Sequence, residues 1–516
     1  MQQQGKDTLS LTARRLDNQH GTLAGNGNLN LKATTVNNRH GNIVAAEKGS
    51  LTLAVKDTLD NQSGRLEAGH AFRLSASQLN NNQGSIVAAG DSATLTVGKT
   101  IQNVNGHLEA KTRLTTTSQT LNNTQGVLLA QNIDSQTTGH PFTNTAGQVI
   151  AEDTLKVNSG ELDNTAGLLQ SGREMSIDTH GQKLTNTRDA DQKTGRLLSG
   201  GHLTLRTGDI DNTGGIIAAD DKTTLTSTAL DNTQGQIAGN GGLDIHSRQL
   251  TNREGTLQSA DALTLDTDGQ LLDNQQGQII GEGKTTITSG PLDNRHGHLQ
   301  GGQLAIDTRQ AQTDNQDGKL LSTDTLTLNT HQLDNRHGQV QAVGDTQLDV
   351  DTQTDNTGGL IRGGQQLTLN TARLINRETA HTDNGVEAQN LTVNAQQVDN
   401  TQGALRAANH LQANISQTLN NTQGLVSAGK QLTLKSEAQQ PHLAINNRQG
   451  TLIAGEHATI NAHALSGDGQ LLSQGDMAIT LTEDFHHTGN TAANGNLTLK
   501  TAGNLINDRD KSRSGA

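Results

Sequence analysis

Cysteine, tryptophan and tyrosine are absent from this sequence, and proline and phenylalanine occur only three times each among 516 residues. Without cysteine there is no disulfide framework and no thiolate metal site, and the redox character of the compartment is not written in the chain. The scarcity of proline excludes a proline-rich linker and, despite 58 glycines, a collagen helix. Aromatic residues make up 1% and apolar residues 30%, against the ~45–50% usual in globular domains, so a conventional core lacks both volume and large anchoring side chains. Nowhere does an apolar run approach the ~18 residues of a membrane-spanning helix, and residues 1–15 lack the apolar segment of a secretory signal. The formal charge is −13, from 38 basic and 51 acidic residues spread without blocks, which favours solubility and offers no surface to nucleic acid. With so little to bury, the chain is either disordered or stacks small residues in a repeating scheme.

What is present decides between the two. A unit of the form apolar-[Asp/Asn/Thr]-Asn-x-x-Gly-x-apolar recurs from Asn18, Asn38 and Asn61, through Asn232, Asn252, Asn274, Asn294, Asn315 and Asn335, to Asn447, with a mean step of about 21 residues. Beyond Asn447 the frame continues at a step of 20 through Gly467 and His487 to Asn507, with the landmark residue lost at the first two. Alternating triplets such as Leu51-Thr52-Leu53, Leu203-Thr204-Leu205 and Leu432-Thr433-Leu434 read as strands with leucines inward. Shorter alternations surround the asparagine (Leu272-Asp273-Asn274) and follow the glycine (Gln278-Ile279-Ile280), separated by residues that permit sharp corners.

Three short strands per repeat make one turn of a solenoid, so the fold class is all-β, a parallel β-helix of about 24 coils of 20–22 residues. Such coils need few inward aliphatics because their neighbours complete the packing, and a disordered chain has no reason to hold leucines in phase over twenty units. At ~4.8 Å per coil the stack would be on the order of 115 Å long. The array is expected to be a single continuous β-helix over 1–516, regular to about 455, degenerate over 456–505 and frayed over 506–516.

Most of the residue types that could carry chemistry read as structure. If the leucine two positions earlier points inward, so does the landmark asparagine, and stacked amides at one strand spacing form a ladder, as for Asn232, Asn252, Asn274, Asn294, Asn315 and Asn335. Asn294→Leu should then destabilise its coil while Asp293→Ala stays nearly neutral. Beside the ladder, Asp273, Asp293, Asp314, Asp334 and Asp355 form an outward column in five consecutive coils. Ca2+ accepts such carboxylates, but Arg295 and Arg336 are placed to neutralise them, and the glycine-rich Ca2+ nonapeptide repeat is absent. His20, His40, His296 and His337 recur beside the corner glycine, and only the first two occupy neighbouring coils as a metal pair would. Gly25-Asn26-Gly27 and Gly281-Glu282-Gly283 have no helix to follow and are turns, not phosphate cradles. Short corners leave no loops to wall a catalytic cleft, and three phenylalanines (Phe72, Phe142, Phe485) are too few for a sugar-stacking groove, so the chain is not an enzyme and needs no cofactor.

Two corners break the rule. Six extra residues separate asparagine from glycine between Asn186 and Gly195 and between Asn376 and Gly385. Arg188, Asp189 and Asp191 in one, and Thr379 and His381 in the other, should protrude and are the candidate receptor contacts. A further expansion falls around Ser436–Pro441.

Units such as Leu230-Asp231-Asn232-Thr233-Gln234-Gly235-Gln236-Ile237-Ala238, followed by Gly242-Leu243-Asp244-Ile245, resemble the haemagglutinin repeats of filamentous haemagglutinin-type exoproteins, over nearly the entire chain. Repeats of this kind build both large bacterial adhesins and the stalks of contact-dependent growth inhibition toxins. The resemblance implies a right-handed β-helix, exported by an outer-membrane two-partner secretion transporter and displayed on, or released from, a Gram-negative cell. It implies a structural rod that projects a binding or effector region toward a receptor on a host or neighbouring cell. The same array would serve as the stick of a toxin-delivery protein, or survive as a truncated remnant of either. Neither an amino-terminal secretion domain nor a carboxy-terminal toxin domain is recognisable, so the 516 residues are expected to be an internal segment or a truncated reading frame.

Overall fold

Alternation and glycine spacing together dictate a strand, a corner and another strand in each repeat, and the computed structural model, which describes residues 1–3, 7–137, 139–436 and 442–506, shows how they close into coils. Among the described residues every regular element is a β-strand and none is a helix. Residues 437–441, in the expected expansion, and 507–516, which include Asn507 and nearly all of the expected tail, lie outside the described residues. The chain divides into two compact units, Met1–Asp261 and the part from Ala262 onward.

One coil of the first unit shows the construction. Along Leu29–Asn37, Leu29, Leu31 and Ala33 are buried with polar residues between them. Two half-exposed threonines, Thr34 and Thr35, then break the period of two and turn the chain before Val36 and Asn38 point inward again. After the corner at Arg39–Gly41, the strand Asn42–Ala45 buries Ile43 and Ala45. The next coil repeats this directly above, with Leu29 opposite Leu51 and Leu31 opposite Leu53 in a parallel register. The same parallel stacking builds the second unit, where Leu304 lies opposite Leu326 and Leu326 opposite Thr346. Both units are therefore parallel β-solenoids.

Register explains how so few apolar residues suffice. Each inward leucine contacts its counterparts above and below, so these side chains are almost completely excluded from water although a coil contributes only a handful. Full burial of one such side chain stabilises by roughly 1.5–3 kcal/mol. Volume is balanced between coils as well: Phe72 occupies a leucine position between Leu51 and Ala93, the small alanine giving room to the ring.

The recurrent corner separates two requirements. Left-handed backbone falls on the residue before the glycine, a non-glycine at most corners, as at His40 (φ 52°) and His296 (φ 54°). The glycine itself is required by proximity: a Cβ at Gly41 would overlap the carbonyl oxygen of Asn18 in the preceding coil, and one at Gly297 would overlap that of Asn274. Corner glycines thus set how closely coils approach, and the sharp turn is made one residue earlier.

Candidate functional site

The asparagine column is the most regular polar feature of each unit. In the first, Nδ2 of Asn18 donates to Oδ1 of Asn38 at 2.7 Å, and the pattern repeats coil by coil to the bond from Asn232 to Asn252 at 2.7 Å. In the second it runs from Asn274, donating to Asn294 at 2.8 Å, through Asn315 and Asn335 to the bond from Asn421 to Asn447 at 2.8 Å. The second amide proton is shared between two carbonyls, as for Asn294 with Gly297 O (3.4 Å) and Lys319 O (3.2 Å). Every bond within a column donates toward the C-terminus, so the amide dipoles are aligned and polarise one another. These side chains are fully buried from Asn38 onward, and the bonds account for their donors and their Oδ1 acceptors, leaving nothing directed at a ligand.

The neighbouring aspartates have a local task. Oδ1 of Asp293, Asp314, Asp334 and Asp355 accepts the backbone N–H two residues later, at 3.1–3.2 Å, which is the hydrogen bond that turns the chain toward the corner. The column is partly covered: the Asp293, Asp314 and Asp334 side chains are 18%, 23% and 20% exposed, and Asp273 is buried. Arg295 grips Asp293 through Nε (2.9 Å) and Nη2 (2.6 Å), and Arg336 grips Asp334 in the same way. Hydrogen bonds to these carboxylates, reinforced by their charge, hold both guanidinium groups above their ordinary pKa. Thr357 Oγ1 donates to Asp355 at 2.7 Å and Gln316 Nε2 to Asp314 at 3.2 Å. Carboxylate oxygens engaged in this way are committed to the corner, and among the described residues no group of three or more His, Cys, Asp or Glu is arranged to hold a metal ion.

Two further carboxylates are perturbed. Burial works to raise the Asp211 carboxyl, but hydrogen bonds from Thr213 and Lys183 outweigh it and leave the pKa below the ordinary value. For Asp399, burial is likewise outweighed by hydrogen bonds from Arg377 and Thr401. His20 and His40 stack face to face at 5.0 Å, their planes within 3°, as exposed corner residues of adjacent coils.

The two enlarged corners differ from one another. In the first, Asp189 Oδ1 accepts Lys193 N–H (2.9 Å) and Gln192 N–H donates to Asp189 O (3.1 Å), so the insertion closes on itself as a tight turn. Arg188 lies back along the surface, bonding Gln192 Oε1 at 3.1 Å, while Asp191 is exposed. This turn walls a groove of about 340 Å³ floored by Ala146, Gly147, Ala166 and Gly167, with Gln192 and Lys193 on its rim.

In the second, Thr379 does not protrude. It is fully buried, its Oγ1 accepting Ala404 N–H at 2.9 Å, because the enlarged corner still has to satisfy the strand that follows. Arg406 reaches up from the next coil to Asn384 O (2.9 Å), Thr382 O (2.8 Å) and Thr379 O (3.3 Å), and pairs with Glu387 at 3.4 Å. His381 is exposed and lines a groove of about 590 Å³ with Gln402, Gln423, Leu425 and Gln449. Here the corner residues form their own amide series, Gln402 to Gln423 to Gln449, each bond 2.9 Å.

Sequence reasoning passed over Arg406 and a second amide series. Asn414 donates to Asn394, Asn394 to Asn370 and Asn370 to Asp349, each at 2.6 Å and all toward the N-terminus, opposite to the landmark column. Its signal was present, since each of these residues follows the inward residue that ends an alternating triplet (Leu348, Leu369, Val393, Ala413). Nothing in the sequence marked Arg406, whose role depends on how the insertion folds back.

Comparison with known proteins bears on the whole array. The sequence profile of one family, described as Haemagglutinin repeat, matches residues 4–63, 46–140, 132–271, 258–313 and 305–387, together about three quarters of the chain. No curated protein and no solved structure matches it.

Proposed function

Because the chain belongs to the haemagglutinin-repeat family, we propose that it is the structural rod of a secreted or surface-bound bacterial adhesin, carrying a binding or effector region away from the producing cell. The observation that carries this reading is the commitment of polar side chains to the solenoid itself: landmark amides bond one another and column aspartates hold corners. Proteins of this family generally work with a two-partner secretion transporter, and we take such a transporter in a Gram-negative outer membrane as the export partner of this chain. The repeat array is read as one continuous element supplying reach, without catalysis and without a cofactor.

Direct contact with a receptor on a host or neighbouring cell is assigned to the enlarged corners. Arg188, Asp189 and Asp191 in the first and His381 in the second remain the contact residues, and Thr379 becomes the anchor that holds its loop. The test is binding of the purified chain to cultured epithelial cells and to bacterial cells, beside a variant in which both insertions are cut to the ordinary corner length. Saturable binding lost in the shortened variant supports the adhesin with contacts at those corners. Binding that survives shortening moves the contact elsewhere on the rod. Absence of binding to either cell type sinks direct adhesion and leaves the stalk of a contact-dependent inhibition protein, where the array supplies length alone.

A further inference from the structure

The landmark column changes character after Asn447, and the change places an imidazole where an amide belongs. Asn446 lies opposite Ser466, and Gly467 opposite His487, so the column position passes from Asn447 to Gly467 to His487. Gly467 supplies no side chain, and a Cβ there would come within 2.6 Å of the Asn447 carbonyl carbon. His487 therefore points into the interior with no amide beneath it. The residue is 2% exposed, its ring beside that of Phe485 at 6.0 Å between ring centres. Nδ1 is 3.4 Å from Thr491 Oγ1, and Nε2 has no hydrogen-bond partner among the described residues.

We propose that His487 is an acid-sensitive joint of the second unit: taking up a proton at its buried ring opens the coils around it. A neutral imidazole has one N–H and one bare nitrogen, and the surroundings leave the second nitrogen unsolvated at modest cost. The imidazolium carries two N–H donors and a charge, and here one donor has no acceptor among the described residues and the charge has little water. Of the charged groups around it, Asp468, on the turn after Ala464–Gly467, favours the charged ring. His486 on the same strand is exposed, and the adjoining strands Gln470–Ser473, Asn490–Ala493 and Leu505–Ile506 contain no titratable side chain. Burial outweighs Asp468, and the ring is held below the ordinary imidazole pKa.

The sign follows from linkage. Above about pH 6.5 neither the folded nor the opened segment carries the proton, and stability is unaffected. Below it the opened segment binds a proton that the folded coil refuses, so stability falls progressively until the depressed folded pKa is reached. Opened coils expose the parallel edges of Gln470–Ser473 and His457–Ala462, which are templates for association with another strand.

Hydrogen exchange read by mass spectrometry on the full chain, at about pH 7.5 and about pH 5.5 and corrected for intrinsic exchange, tests the joint. The opening constant of peptides spanning 476–506 is expected to rise on acidification in the natural sequence, by at most about tenfold, and to change by less than about twofold in His487→Asn, which returns the landmark amide. An equal acid response in both, or none in the natural sequence, overturns the proposal. Should His487→Asn loosen these coils at neutral pH, Asp468→Asn decides, because it leaves the ring in place and keeps an oxygen for the Gln449 N–H that Asp468 accepts at 2.8 Å. Removing that charge makes the folded coil refuse the proton more strongly, so acid opening should still begin near about pH 6.5 but grow larger and continue to lower pH. An unmoved profile would also overturn the proposal.

Discussion

A single coil contains the competing demands on individual residues. Asn294 is fully buried and bonded on both sides, so Asn294→Leu takes the ladder acceptor from Asn274 Nδ2 and the ladder donor from Asn315 Oδ1, at roughly 1–3 kcal/mol per lost bond. Asp293→Ala, nearly neutral by sequence reasoning, removes the acceptor for Arg295 N–H and both bonds to its guanidinium. Water replaces these partners at the surface, so the expected loss is no more than about 1 kcal/mol. Thermal unfolding of both variants should keep that order, with a narrower gap than the sequence alone suggests, and equal melting temperatures would remove the ladder as a source of stability.

At the same corner His296 and Gly297 should respond in opposite ways. Gly297→Ala forces a Cβ onto the Asn274 carbonyl and to within 2.5 Å of Asn294 Oδ1, neither of which can retreat, so the coil should lose on the order of 2–4 kcal/mol. His296→Asn places a residue tolerant of left-handed backbone at φ 54° and should be neutral or slightly stabilising. Urea unfolding of the two variants compares them directly; a tolerated alanine at 297 would contradict close approach as the reason for glycine.

Between residues and molecule stand the enlarged corners. Arg406 donates to three loop carbonyls while pairing with Glu387, so it fixes the second insertion to the coil that follows. Arg406→Ala should speed hydrogen exchange and proteolysis over 379–384, a loss of about 1.5–3 kcal/mol from charged hydrogen bonds, while neighbouring coils keep their protection. If exchange in the loop stays unchanged, the arginine is not its fastener. The first insertion needs no such residue because Asp189 closes it internally. Both insertions could be located from the lengthened asparagine-to-glycine step, but not Thr379's burial, which depends on the backbone N–H of Ala404 one coil away.

For the molecule as a whole, coils interact chiefly with their immediate neighbours, so damage should remain local. Asn103→Leu in the first unit is expected to raise hydrogen exchange in the flanking coils, whose ladder residues are Asn81 and Asn123, while the part from Ala262 onward keeps its protection. Uniform loss of protection would mean cooperativity far longer than nearest-neighbour stacking. Acid adds a second, lower window. Asp211 and Asp399 have depressed carboxyl pKa values, so their contribution is present above the unfolded value of about 3.9 and lost as pH falls through the depressed folded values. Acid unfolding followed by circular dichroism should therefore be steeper below about pH 4 in the natural sequence than in Asp399→Asn.

Residue order was enough to specify the repeat, its inward leucines and asparagines, the all-β class and the sites of the two insertions. It could do so because a solenoid makes each coil's environment a copy of its neighbour's, so a period in the chain becomes a column in space. Only the folded coils settle which way the amides donate and that Thr379 anchors a loop instead of tipping it. These outcomes depend on contacts between residues some twenty positions apart, and on which donor finds which acceptor, neither of which alternation or spacing encodes. His487 lies between the two cases: its place in the column can be counted along the chain, but only packing shows that Gly467 leaves its ring without an amide below.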